Sequence, residues 1–177
     1  MKNNKLEASL NKLFSNSGYK MIDVSDKNIT HRKALATGEI FLSQKIIKLI
    51  KGKKMPKGDP LSIAEVSGIK GVKKTSELIP LCHPLPLDHI SLHTEINEKN
   101  NSIVVYCLVS ANSKTGVEME ALSGVTSALL AIYDLSKIVE PNLKISNTKL
   151  LVKSGGKKGL WINPDGIPKK IKDALNI

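Results

Sequence analysis

Aromatic residues are scarce in this chain, at 3%. That scarcity argues against a binder of single-stranded nucleic acid, where sequence-tolerant affinity comes from stacking bases on aromatic rings. Cysteine is scarcer still. Cys82 and Cys107 form no CxxC motif and no paired framework, so no disulfide staple is expected and a reducing cytosol is the natural setting. There is no apolar run of about eighteen residues, the minimum for a membrane helix, and the opening MKNNKLEASLNKLF lacks the continuous apolar stretch of a signal peptide. A soluble, cytoplasmic protein without a membrane partner is the expectation. Acidic residues are the other shortfall: 16 Asp and Glu stand against 27 Lys and Arg, a formal charge of +11. Such a balance points to anionic partners, either nucleic acid or a small polyanion. Solvated surface lysine is the plainer alternative. A length of 177 residues is most simply one domain, 1–177, long enough to bury about two-thirds of its unfolded surface.

What the sequence does have is a long apolar stretch with charged ends, Gly116 to Lys137 (GVEMEALSGVTSALLAIYDLSK). Leu122, Val125, Leu129, Leu130, Ile132, Tyr133 and Leu135 point around most of the circumference of a helix, which predicts a buried helix. Thr115 and Glu118 have the spacing of a capping box, and Pro141 follows the far end. Glu120 and Asp134 fall within about 40° of one another on one face but about 21 Å apart along the axis. One small reaction centre in a single chain cannot hold both. If both are functional, a second copy of the helix, reversed, must bring its Asp134 to the first copy's Glu120. Ordinary roles compete with this: Glu118 in the capping box, Glu120 as a first-turn acid on the helix dipole, and Asp134 with Lys137 as a surface pair.

Elsewhere the chain reads in order. Leu6, Leu10, Leu13 and Phe14 recur at helical spacing and predict a short N-terminal helix that could dock on the body. Met21 to Ser25 reads as extended. Thr30 to Leu42 alternates as a half-buried strand, with Arg32 on its mainly apolar side and so a candidate anion ligand. Ser43 to Lys51 predicts a short helix, followed by the basic loop through Lys57 and Gly58. Asp59 and Pro60 then start a second long helix, to about Leu78, in which Gly68 and Gly71 each cost about 1 kcal/mol relative to alanine unless they permit close packing. Two prolines hold Leu81 to Leu87 out of regular structure, so His83 sits on a stiff backbone among apolar neighbours. His89 to Ile96 and Ser102 to Ala111 form a hairpin. His89 and His93 share a strand face, but a zinc site would need a third ligand that cannot be placed. Leu143 to Val152 is a last strand, running into Ser154-Gly155-Gly156-Lys157, a turn that can bring backbone N–H groups to an anion but lacks Walker-loop spacing. The tail with Trp161 reads as a docked extension.

Without its termini the order is strand, helix, strand, strand, helix, strand. This predicts an α+β, ferredoxin-like βαββαβ fold, an antiparallel sheet with two long helices on one face. The RNA-recognition motif shares that order, but its third strand should carry several stacking aromatics. Here that strand, SIVVYCLVSA, has Tyr106 alone.

Several blocks stand in order along the chain: Met21 to Ser25, Lys57-Gly58-Asp59, LIPLCHPL at Leu78 to Leu85, TGVEMEAL at Thr115 to Leu122, Ile132-Tyr133-Asp134 and Lys153 to Lys157. In these, about residues 19–159, the chain closely resembles the cyclic pyranopterin monophosphate synthase family of molybdenum-cofactor biosynthesis. An N-terminal helix at 1–18 and a C-terminal extension at 160–177 flank that core. The resemblance implies a lyase that converts cyclised dihydro-GTP to cyclic pyranopterin monophosphate and diphosphate. It implies homohexamers, trimers of dimers, with sites at the dimer interface, no nucleic-acid partner, no protein-bound metal and no cofactor, Mg²⁺ being at most a phosphate counter-ion. It makes Asp134 the principal catalytic residue, paired with Lys137 as acid and base. Lys57 and Lys153 would stabilise phosphate charge, with Arg32 as a forked clamp and Lys157 in the glycine turn. His83 would protonate or orient the ring, and Glu118 and Glu120 suit the guanine-derived N–H edge. Leu81, Cys82 and Met119 match substrate-contacting stretches, Cys82 as lining and not as a nucleophile. The rivals are a non-enzymatic nucleic-acid binder and a metal-dependent hydrolase using His83, His89 and His93.

Overall fold

A computed structural model describes residues 9–14 and 18–176. Its main sheet strands are β1 (Thr30–Phe41), β2 (His89–Asn97), β3 (Ser102–Ser113) and β4 (Lys144–Ser154), with a two-residue β5 (Trp161–Ile162). The sheet order is β2-β3-β1-β4-β5, every neighbouring pair antiparallel. The first four strands and the two long helices give the expected ferredoxin-like arrangement. The helices are α1 (Gln44–Lys51), α2 (Pro60–Lys73), the single turn α3 (Thr75–Leu78), α4 (Glu118–Ser136) and α5 (Lys169–Leu175).

The strands alternate as their sequences do. Ala34, Ala36 and Ile40 on β1 and Ile103, Val105, Cys107, Val109 and Ala111 on β3 turn to the helix side, where Val125, Ala128, Leu129 and Ile132 of α4 meet them. α1 is capped by the Ser43 hydroxyl, which accepts from the Ile46 N–H, and buries Ile46, Ile47 and Ile50. Asp59 caps α2 through the Leu61 N–H, with Pro60 at the first helical position. The interior glycines of α2 are explained by close approach to α4. A Cβ on Gly68 would meet the Leu92 side chain and, at 3.0 Å, the Gly124 carbonyl, while one on Gly71 would meet Ser127 and, at 2.9 Å, the Ser123 carbonyl. The helices therefore pack backbone to backbone, and no larger residue fits the seam.

Several expectations need correction. The second helix does not run unbroken to Leu78: it pauses at Lys74, and α3 follows, with the Thr75 hydroxyl donating to the Gly71 and Val72 carbonyls. The long helix starts at Glu118, its N-cap is Val117, and no side chain caps it. The capping box of Thr115 and Glu118 is therefore absent, because Glu118 turns instead to Lys153. Nor is α4 covered all round, since Leu130 is 57% exposed. Residues 9–13 are helical, but Leu10 and Leu13 are exposed, not docked on the body, and Leu6 lies outside the described residues.

The tail does dock. Ile162, Ile167 and Ile171 pack with Leu35, Val104, Tyr106, Leu151 and Val152 on the sheet face opposite the helices. The Lys170 ammonium stands 4.1 Å over the Tyr106 ring. The one ring that an RNA-binding sheet would offer to a base is thus already occupied. Among the described residues no helix is long and apolar enough to cross a membrane.

Candidate active site

The charged ends of α4 carry two separate constellations. At the C-terminal end, Asp134 Oδ2 accepts from Lys57 Nζ at 2.7 Å and Oδ1 pairs with Lys137 Nζ at 2.7 Å. Lys57 also donates to the Asp134 carbonyl at 3.3 Å. The basic loop between α1 and α2 thus delivers Lys57, one of its three lysines, to the helix terminus. The hydrogen bond from Lys137, then that from Lys57, hold the Asp134 carboxyl down at about 2, and Asp134 in turn raises the Lys137 pKa. This group is solvent-facing: Asp134 is 49% exposed and Lys137 is 53% exposed. It is an ionised carboxylate between two ammonium groups.

At the N-terminal end, Glu118 Oε1 accepts from Lys153 Nζ at 2.8 Å, a part-buried pair. The pair opens on a cavity of about 490 Å³ between the start of α4, the N-terminal end of β1 and the loop after β4. Lys27, Arg32, Lys33, Lys114, Lys153, Lys157 and Lys158 line it, against the carboxylates of Asp26 and Glu118 alone. Arg32 is fixed by its own hydrogen bonds, from Nε to the Ser113 carbonyl at 3.4 Å and from a terminal nitrogen to the Lys114 carbonyl at 3.3 Å. Gly155 and Gly156 lie against it with φ of +97° and +72°, and a Cβ on Gly156 would collide with the guanidinium. Thr30 also lines the cavity, and its Oγ1 is buried with no hydrogen-bond partner among the described residues. A concave surface with this excess of cations is built for an anion carrying several charges.

Glu120 faces elsewhere. It is only 4% exposed and lines a second cavity of about 380 Å³ with Val72, Lys73, Thr75, Ser76 and the Pro84 to Leu87 segment. Burial pushes its carboxyl pKa up, with a smaller push from Glu118. Glu120 in turn adds to the burial that raises the Cys82 thiol, which places the LCHPL loop beside this pocket. The Asp23 carboxylate, held low mainly by the Ser25 backbone N–H, also senses Lys114 and His83. Neither His83 nor Cys82 is among the lining residues of these two cavities. Leu81 and Met119 are exposed at 48% and 40%.

The chain thus joins Lys57, Asp134 and Lys137 at one end, and Arg32, Glu118, Lys153 and Lys157 at the other. It does not join the two sets. Lys57 and Lys153, expected as joint phosphate ligands, stand at opposite ends of α4, and Asp134 is about 24 Å along the axis from Glu118. Sequence reasoning passed over Lys114, whose ammonium donates to the Ser25 carbonyl at 2.6 Å and ties the 21–26 segment to the cavity wall. Its only signal was adjacency to Thr115, and in a lysine-rich chain that signal is weak. His89 and His93 lie on the outward face of edge strand β2, where His93 Nε2 is 3.1 Å from Glu95. No group of three or more His, Cys, Asp or Glu among the described residues is placed to hold a metal ion.

The chain matches the family model described as the MoaC family over residues 21–156. It is 40% identical over 158 residues to the cyclic pyranopterin monophosphate synthase of Thermomicrobium roseum, covering 89% of this chain and 95% of that one. It is 42% identical over 145 residues to the protein of the same name from Chloroflexus aurantiacus, covering 82% and 89%. A molybdenum cofactor biosynthesis bifunctional protein of Synechococcus elongatus is 43% identical over 144 residues, 81% of this chain and 45% of that protein. The matched span runs from the segment that Lys114 tethers to the glycine turn over Arg32, and so takes in both charged ends of α4: the chain belongs to the MoaC family.

Proposed function

We propose that this chain is a cyclic pyranopterin monophosphate synthase of molybdenum-cofactor biosynthesis, acting on cyclised dihydro-GTP at a site completed by a second copy of itself. The observation that carries the reading is the division of labour along α4. A seven-cation cavity suited to a triphosphate lies at one end, and an ionised carboxylate flanked by two ammonium groups lies at the other. The reaction rearranges a purine into a pterin and closes a cyclic phosphate, steps that move protons and charge.

In this reading the triphosphate occupies the cavity of Arg32, Lys153 and Lys157, where the glycine turn adds backbone N–H groups. The ribose hydroxyl attacks the α-phosphorus, the bond to the β-phosphate oxygen breaks, and diphosphate leaves with its charge met by these cations. Glu120 accepts hydrogen bonds from the guanine-derived N–H edge in its own pocket, while Glu118 holds Lys153 at the phosphates, with His83, Cys82, Leu81 and Met119 around the ring. Asp134 of the second copy takes the proton and Lys137 returns one, Lys57 holding the carboxylate in place. Three such dimers make the hexamer that the family resemblance implies, and the cytoplasm is the expected compartment.

The test is turnover. Pure, chelator-treated protein mixed with the cyclised GTP intermediate should release diphosphate and form the pterin product. Absence of product, together with salt-sensitive binding to RNA, would overturn the reading in favour of a nucleic-acid binder. Turnover lost on chelation and restored by zinc would favour a metal enzyme.

A further inference from the structure

We propose that residues 160–176 tether the glycine turn of the anion cavity, with Lys170 as the positioning residue that locks the tether; the inference rests on that cavity being the phosphate end of the site. The segment lies beyond the stretch that matches the family model, which ends at residue 156. It is nonetheless joined to the site at the shortest possible distance. β5 pairs with β4 so that Trp161 stands opposite Lys153 and Ile162 opposite Val152. Next along, the Asn163 N–H donates to the Leu151 carbonyl at 2.8 Å, and its side-chain amide donates to the Leu150 carbonyl at 2.7 Å.

The consequence is that the turn from Ser154 to Leu160 is closed at both ends. Three of its residues, Gly155, Gly156 and Gly159, have positive φ. Glycines in such a stretch have the most backbone freedom to lose on ordering. As a free chain end, the turn would have to be ordered by the ligand itself. As a closed hairpin, with the Gly159 N–H donating to the Gly156 carbonyl at 3.2 Å, it is ordered beforehand against Arg32.

Two residues of ladder cannot hold a hairpin, so the hold must come from further along. Ile167, 8% exposed, sits in the cluster on the outer sheet face, and Ile171 packs against it. Lys170 then fastens α5 by two contacts at once, an ion pair with Glu95 and a cation over the Tyr106 ring. Tyr106 is itself stacked on His93, which bonds Glu95. The tether therefore runs from Lys170 on the outer face, through β5, to Lys153 in the cavity.

The test uses full-length chains and inorganic diphosphate as the probe. Lys170→Met and, separately, Ile171→Ser should speed amide exchange of residues 155–163 about tenfold and weaken diphosphate binding by calorimetry about tenfold. Lys170→Arg should restore both, and the unfolding midpoint should stay within about 2 °C for the exposed Lys170 site. Unchanged exchange at 155–159 in both variants would overturn the tether. So would native diphosphate affinity in a variant whose tail exchange shows it released. Neither measurement needs turnover, so an inactive native chain would sink the proposed reaction while leaving this result to stand or fall by itself.

Discussion

Asp134→Asn should abolish most of the activity and leave the fold intact. An amide retains the shape of the carboxylate but cannot accept a proton, and positioned acid–base groups contribute about 10² to 10⁴ in rate. The loss should appear in kcat, with KM moving little, because the phosphates are held by the cations of the cavity and not by a carboxylate. Stability should barely change. The pairs with Lys57 and Lys137 are half-exposed, and exposed pairs contribute little. Its pKa of about 2 also means that Asp134 adds no acid limb to the pH profile of the native enzyme in any working range. Steady-state kinetics alongside a thermal melt checks all three points. A variant that melts normally and turns over at the native rate would remove Asp134 from the mechanism.

Glu120→Gln should do the opposite to stability and still harm catalysis. Burial raises the Glu120 pKa above the ordinary 4.5, so the folded chain keeps a proton that the unfolded chain has already released. The stability this proton confers is full below pH 4.5 and is lost as pH rises through the folded value. At pH 7 the carboxylate is therefore a net cost to folding, and the neutral glutamine should raise the melting temperature there and flatten its fall between the two values. A hydrogen bond from a substrate N–H to a charged group is also lost, which should lower kcat/KM about 10- to 100-fold. The acid limb that belongs to Glu120 should vanish from the kcat/KM profile with it. A glutamine variant that is less stable at pH 7, or that keeps the native acid limb, would contradict this assignment.

Most of the framework was legible because it is periodic. The β1 alternation, the β2–β3 hairpin and the apolar stripe of α4 each answer to a local rule that the fold obeys. Failures came where a distant residue decided the outcome. Glu118 has the spacing of a capping-box acid, but Lys153, on the last long strand, offers it a cation, and a charge-assisted bond outcompetes a backbone N–H. The break at Lys74 is the local exception, with the Thr75 hydroxyl reaching back to two carbonyls three and four residues before it. β5 and α5 are too short to announce themselves and exist because Ile162, Ile167 and Ile171 find the outer sheet face. The site was legible in halves. Helical spacing separated Glu120 from Asp134, but only the fold shows that Lys57 belongs with Asp134, and that Glu118 and Glu120 open onto different cavities.

The central claim is that two copies of α4 make one site, and subunit mixing tests it most directly. Chains carrying Asp134→Asn and chains carrying Glu120→Gln, each impaired alone, are mixed in equal amounts, and exchange is verified by the mass of the hybrid. In a two-fold dimer with sites shared between chains, statistical exchange leaves about one quarter of the sites with both native residues. The account predicts recovery to about that fraction of native turnover. Hybrids that demonstrably form and recover nothing above the separate variants would contradict it, and would place Glu120 and Asp134 in the service of one chain.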